Sequence, residues 1–214
     1  MGDTFAMLQQ GGWPMVPIAF CSVAALAIIV ERAIALRRAL VINPAVLDLV
    51  NGLDDPARAD SVLVACRKEQ GAFARLCEAV LEGRKREPAH VIETLNAAGR
   101  IQVGGLERGL TVLEIIAAIT PLLGLLGTVL GMVSVFEAIS MQGTGDPRVL
   151  SAGISKALVT TIAGLSVAIP SLAFHSWFSR RVEQYADEMH ERAVGLLARI
   201  GAGPDAAGPR SMEI

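Results

Sequence analysis

Charge disappears from three long stretches of this chain. Between Glu114 and Glu137, residues Ile115 to Phe136 form 22 positions without a charged side chain; Gly11 to Val30 form 20 more, and Ala157 to Ser179 another 23, interrupted only by the ionisable His175. A helix needs about 20 predominantly apolar residues to cross the hydrocarbon core of a bilayer, so three transmembrane helices are predicted. The second stretch carries Pro121, Gly124, Gly127, Thr128 and Gly131. That is too rich in small and helix-breaking residues for a plain lipid anchor, and it predicts a helix packed closely against something.

Outside these stretches the apolar residues recur at helical intervals. Val46, Leu49, Val50 and Leu53 form one such set and Val62, Leu63 and Cys66 another, with no alternating strand pattern between Asn43 and Gly109. Pro56 and Pro88 stand where helices begin, and Gly71 marks a break. Three or so short helices are expected there, the last running on into the second span. After Ser179, Val182, Tyr185, Met189, Leu196 and Ile200 fall near one stripe and Arg181, Glu183, Glu188, Glu191 and Arg192 elsewhere, so the third span is expected to continue as an amphipathic helix. Gly201, Gly203, Pro204, Gly208 and Pro209 then predict a flexible tail.

The expected fold is all-α, an integral membrane protein whose last two spans extend into a cytoplasmic helical bundle. Its parts are a periplasmic N-terminus with the first transmembrane helix (1–36), a cytoplasmic helical region (37–110), the second span (111–137), a periplasmic loop (138–156), the third span (157–179) and a cytoplasmic helix with its tail (180–214).

Composition agrees: 52% of residues are hydrophobic, 4% aromatic, and the net charge is only -2, with a mean hydropathy of +0.50. Of the 19 Lys and Arg residues, none precedes the first span, 12 lie between Glu31 and Glu114, 2 (Arg148 and Lys156) lie between the second and third spans, and 5 follow Ser179. Cationic segments stay in the cytoplasm, which puts the N-terminus and the 137–156 loop outside and the middle segment and C-terminus inside. Met1 to Gly12 has no positive charge, and Arg32, Arg37 and Arg38 follow the apolar run, so the first span is read as a retained helix rather than a secretory signal. Cys21, Cys66 and Cys77 give no disulfide framework and are read as packing residues.

Projection at 100° per residue places Ala117, Pro121, Gly124, Thr128, Gly131 and Val135 on one face of the second span. Bulky Leu122, Leu125, Val129, Met132, Val133 and Phe136 lie elsewhere around it. On the third span Thr161, Gly164, Ala168, Ser171 and His175 share a stripe beside Leu158, Ile162, Leu165, Ile169 and Leu172. Small faces let helices approach, as in the Gly127 and Gly131 pair, and buried hydroxyls bond one turn back. Two such faces, each with a threonine near mid-membrane or above, also suit a shared cavity that positions an ion or a protonated group. No Asp, Glu, Lys or Arg lies within any core. Such groups normally mark proton pathways, so a proton route here requires a titrating residue from another subunit. Pro121 and Pro170 each predict a bend, because an internal proline removes an amide donor.

The run Leu113-Glu-Ile-Ile-Ala-Ala-Ile-Thr-Pro-Leu-Leu-Gly-Leu-Leu-Gly-Thr-Val-Leu-Gly-Met132 and the run Gly153-Ile-Ser-Lys-Ala-Leu-Val-Thr-Thr-Ile-Ala-Gly-Leu-Ser-Val-Ala-Ile-Pro170 resemble the two signature helices of the MotA/TolQ/ExbB proton-channel family, ExbB branch. Gly12-Trp-Pro-Met15 through Glu31-Arg32 extends the resemblance to the first span. The resemblance implies a bacterial inner-membrane homo-oligomer, a pentamer, enclosing the single transmembrane helices of an ExbD-like subunit that carries a membrane Asp. Proton flow past that Asp drives motion, which a TonB-like protein carries to outer-membrane receptors. Thr128 and Thr161 match the family's pore-facing threonines, with Gly124, Gly131, Pro121, Gly164 and Ala168 along the same route. Lys156 departs from the family: it occupies the outer entrance to the third span where TolQ and many ExbB proteins have Glu.

The function expected is a proton-channel or motor subunit that couples the proton motive force to TonB-dependent transport. The alternatives are a TolQ-like subunit of the Tol-Pal envelope system and a passive membrane scaffold. The flagellar branch is disfavoured by its four spans. No nucleotide loop, metal cluster or catalytic constellation is present in the sequence, so no enzyme activity, cofactor, metal or nucleic-acid partner is expected.

Overall fold

Apolar spacing of about 3.6 residues produces eight helices among the described residues, and no strand. The computed structural model describes residues 12–53, 58–84, 87–142 and 147–201. The helices are α1 (Met15–Ala35), α2 (Arg38–Val41), α3 (Pro44–Asn51), α4 (Ala59–Lys68), α5 (Ala72–Gly83), α6 (Pro88–Glu107), α7 (Leu110–Gln142) and α8 (Pro147–Gly201). Three of them contain membrane-length apolar segments: Met15–Ala35 with mean hydropathy 2.1, Leu110–Ser140 with 2.1, and one within Ser151–Ile200 with 1.9. The all-α, three-span architecture is therefore as expected.

Boundaries differ from expectation in three places. The helix before the second span does not run into it: α6 ends at Glu107, and Gly109 adopts φ +86°, a left-handed turn that glycine tolerates and other residues resist. The segment 138–156, expected as a loop, is helical over 138–142 and 147–156, because helix propensity does not stop where apolar sequence stops. The short α2 adds a turn that periodicity does not reveal. Pro88 begins α6 as its first helical residue, whereas Pro56 and the tail beyond Gly201 lie outside the described residues.

The chain divides into two compact units, one comprising the residues up to Arg32 with Gly109–Phe178, the other Ala33–Arg108 with the residues from Ser179 onward. In the second unit, α5 packs against α2, α4 and α6, and α3 packs against α4. Its core holds Val46, Val62, Phe73, Leu76, Val80, Leu81, Val91 and Leu95, all buried. Cys66 and Cys77 are buried there as free thiols. The hydrogen bond with Cys66, together with burial, pushes the Cys77 thiol up, so it stays protonated and packs as a small apolar group. Gly71 precedes α5 at φ +147°, and a Cβ there would sit 3.0 Å from the Leu40 carbonyl oxygen, so both conformation and space call for glycine. The Asn43 side chain caps α3 by accepting from the Ala45 amide at 2.9 Å.

The C-terminal part of α8 completes this core with Val182, Tyr185, Met189, Ala193 and Leu196. These include the stripe read from the sequence, except Ile200, which is half-buried. The buried Tyr185 hydroxyl donates to the Leu36 carbonyl at 3.0 Å and accepts from Arg181 Nη1 at 3.0 Å. Tyr185→Phe leaves that carbonyl without its side-chain donor and is expected to lower stability by about 1–2 kcal/mol. Thermal denaturation of the purified protein checks this, and an unchanged midpoint would show that the bond contributes nothing.

In the first unit the bulky stripes read from the sequence point outward. Leu122, Leu125, Val129 and Phe136 on α7, and Leu158, Ile162, Leu165, Ile169 and Leu172 on α8, are exposed, as are Val16, Phe20, Val23 and Leu26 on α1. Such a surface suits lipid or other membrane helices. The small faces of α7 and α8 turn the other way, toward each other.

Candidate functional site

The seam between α7 and α8 is built from residues too small to hold two helices apart. Gly164 lies so near α7 that a Cβ on it would sit 2.5 Å from the Thr120 carbonyl oxygen and 3.2 Å from the Gly124 Cα. A Cβ on Gly124 would meet the Thr161 Cα at 3.0 Å, and one on Gly131 the Ala157 Cβ at 3.0 Å. Gly127 faces the Thr160 side chain, and Gly153 faces Val135. These contacts run in antiparallel register along both spans, the backbone-to-backbone approach that small residues allow inside membranes.

The seam also holds hydroxyls. Thr120 and Thr160 are fully buried, and Ser171 and Ala168 nearly so. Thr120 Oγ1 donates to the Ile116 carbonyl at 2.8 Å, Thr160 Oγ1 to that of Ala157 at 2.8 Å, and Ser171 Oγ to that of Val167 at 2.7 Å. Each buried hydroxyl is thereby satisfied within its own helix.

Thr128 and Thr161 stand differently. Both are only half-buried by the chain. Thr128 Oγ1 donates to the Leu125 carbonyl at 2.7 Å, and Thr161 Oγ1 crosses the seam to the Gly124 carbonyl at 3.3 Å. Since Gly124 contacts Thr161 and Thr128 is four residues further along α7, the two hydroxyls are offset by about one helical turn, about 6 Å along the axis. Each has committed its proton and keeps lone pairs to accept a hydrogen bond from a protonated group.

The other residues singled out from the sequence are placed as follows. Gly124, Gly131 and Gly164 are buried within the α7–α8 contact of this chain, and Ala168 is buried as well. Pro121 is half-buried, and α7 runs on through it; Pro170 is exposed, and α8 runs on through it. Lys156 is exposed and lies over Gly12, where an added Cβ would sit 2.9 Å from the Lys156 Cε. His175 Nε2 stands 3.9 Å from Glu114 Oε2. Periodicity did not single out Thr160 beside Thr161, because a seam between crossing helices buries two adjacent columns and a single-stripe projection keeps one. Among the described residues no group of three His, Cys, Asp or Glu side chains is arranged to hold a metal.

Residues 68–191, which span α7 and most of α8, match the model of the MotA/TolQ/ExbB proton channel family. The chain belongs to that family. Its similarity to ExbB-type members reaches well beyond the matched segment. It is 34% identical to an ExbB-like biopolymer transport protein of Synechocystis sp., over 83% of this chain and 86% of that protein. It is 27% identical to an ExbB homolog of Methanothermobacter thermautotrophicus, over 88% of this chain and 67% of the homolog. Against the biopolymer transport protein ExbB of Pseudomonas putida it is 32% identical over 62% of this chain, but it spans only 41% of that protein. As a MotA/TolQ/ExbB family member with three membrane-length apolar helices, this is a membrane protein of the ExbB biopolymer-transport type.

Proposed function

We propose that this chain is the proton-channel subunit of an inner-membrane ExbB–ExbD-like motor, which couples the proton motive force to TonB-dependent transport across the outer membrane. Several copies, a pentamer, surround a partner helix that brings the membrane Asp. Thr128 and Thr161 line the proton route beside it, while Pro121, Gly124, Gly131, Gly164 and Ala168 set how closely α7 and α8 approach and so where the hydroxyls stand. The N-terminus is periplasmic and the C-terminus cytoplasmic.

The observation that carries this reading is a half-buried threonine on each of two packed spans, about one helical turn apart, in stretches that contain no Asp, Glu, Lys or Arg. A protonated carboxyl entering such a surface finds acceptors for its O–H and no competing charge. Its movement is worth about 2.3 kcal/mol per proton across 100 mV, so a mechanical step needs few protons. The names of the relatives favour the ExbB role over the Tol role.

The test is purification from the native membrane together with a deletion. A small single-span protein with an Asp in its span is expected to co-purify. Deleting this chain is expected to stop proton-motive-force-dependent uptake while the outer envelope stays tight. Recovery without such a partner, or a leaky envelope with normal uptake, would overturn the assignment.

A further inference from the structure

A cavity of about 300 Å³ opens in the first unit, where the start of α1, the C-terminal turns of α7 and the first turns of α8 come together. Its lining includes Gly12, Trp13, Gly131, Ser134, Glu137 and Lys156. Gly12 belongs to the start of the first uncharged stretch, Glu137 is the first charge after the second, and Lys156 is the last charge before the third. Three boundaries between apolar and charged sequence therefore converge on one cavity, the level at which a spanning protein meets lipid headgroups. Trp13, 64% exposed at its mouth, is of the type enriched at that level.

The cavity carries one charge of each sign. Among the described residues, neither Glu137 nor Lys156 has an ion-pair partner within 4.0 Å, although both line the same space. Two opposite charges that line one cavity without pairing to each other within 4.0 Å fit a ligand that is itself zwitterionic. Gly12 helps keep the room: it adopts φ +73°, and a Cβ there would displace the Lys156 Cε, 2.9 Å away. The volume is at the lower end of the range for small-molecule sites.

We propose that this cavity holds the phosphoethanolamine headgroup of a membrane phospholipid, with Lys156 on the phosphate and Glu137 on the primary ammonium. An ammonium donates charge-assisted hydrogen bonds to the Glu137 carboxylate, which a trimethylammonium cannot do. The site thus distinguishes ethanolamine from choline headgroups, and anionic glycerol headgroups leave Glu137 unmatched. This inference rests on the membrane-spanning character of the chain; the cavity shares Gly131 and Lys156 with the outer end of the proposed route, but its test reads lipid retention and not proton flux.

Native mass spectrometry of the full-length complex in detergent tests it, with phosphatidylethanolamine, phosphatidylcholine and phosphatidylglycerol of identical acyl chains added in turn. The ethanolamine lipid is expected to be retained about tenfold more tightly than the choline lipid. Glu137→Gln should erase that preference, Lys156→Gln should weaken retention of both lipids, and Lys156→Arg should restore it; the same spectra report assembly of each variant. Equal retention of the two lipids by the unaltered chain, or a preference that survives Glu137→Gln, would overturn the assignment. So would displacement of the lipid by soluble phosphoethanolamine at equal concentration, which would make the occupant a soluble compound.

Discussion

Gly164→Leu is expected to abolish assembly of the membrane-embedded unit. The atoms that a Cβ at position 164 would meet are all backbone: the Thr120 carbonyl oxygen at 2.5 Å, the Gly124 Cα at 3.2 Å and the Gly124 amide nitrogen at 3.3 Å. No side-chain rotation relieves such contacts, so α7 and α8 must separate. An extra methylene in a packed core costs about 1–3 kcal/mol, and leucine brings several into a seam that holds no space for them. Separation would also pull Thr161 from the Gly124 carbonyl and move it away from Thr128 on α7. Gly99→Ala is the control: nothing lies within 4 Å of a Cβ there, and alanine in a helix interior is favoured by up to about 1 kcal/mol. Size-exclusion chromatography and thermal melting of the detergent-solubilised protein report both effects. Native-like assembly of Gly164→Leu would show that the two helices do not meet as described.

Thr161→Val is expected to separate function from folding. Valine keeps the branched shape and removes the hydroxyl. The bond lost is the 3.3 Å contact to the Gly124 carbonyl, an acceptor placed to receive the Thr128 amide in the helix ladder, so stability should fall by no more than about 1 kcal/mol. On the proposed route the substitution also removes an acceptor for a protonated carboxyl, which is a different matter. One missing polar contact of that kind is worth about 1–3 kcal/mol, which slows proton-driven uptake roughly ten- to hundredfold. Uptake assayed in cells beside the recovered amount of complex makes the distinction. A parallel fall in both would assign Thr161 to packing alone.

The three spans were legible in the sequence because absence of charge over 20 or more residues has few explanations, and the outward bulky stripes followed from helical period. What escaped the sequence has local causes. The break before the second span depends on the left-handed Gly109, one glycine among several near it. The helical ends of α7 and α8 beyond the apolar stretches are set by propensity, which hydropathy does not register. The glycine faces were visible, but sequence left open whether they meet each other or a cavity, and the structure mates them within one chain. The cavity beside Lys156 joins residues from the starts of α1 and α8 and the end of α7, which no local pattern brings together.

Proton flux is the property on which the placement of Thr128 and Thr161 bears most directly. The complex, reconstituted in liposomes with the proposed carboxylate-bearing partner, should take up protons under an imposed potential. The Thr128→Val/Thr161→Val double variant, assembled to the same extent, should fall to the level of empty liposomes. Undiminished uptake by that variant would contradict a proton route lined by these two hydroxyls.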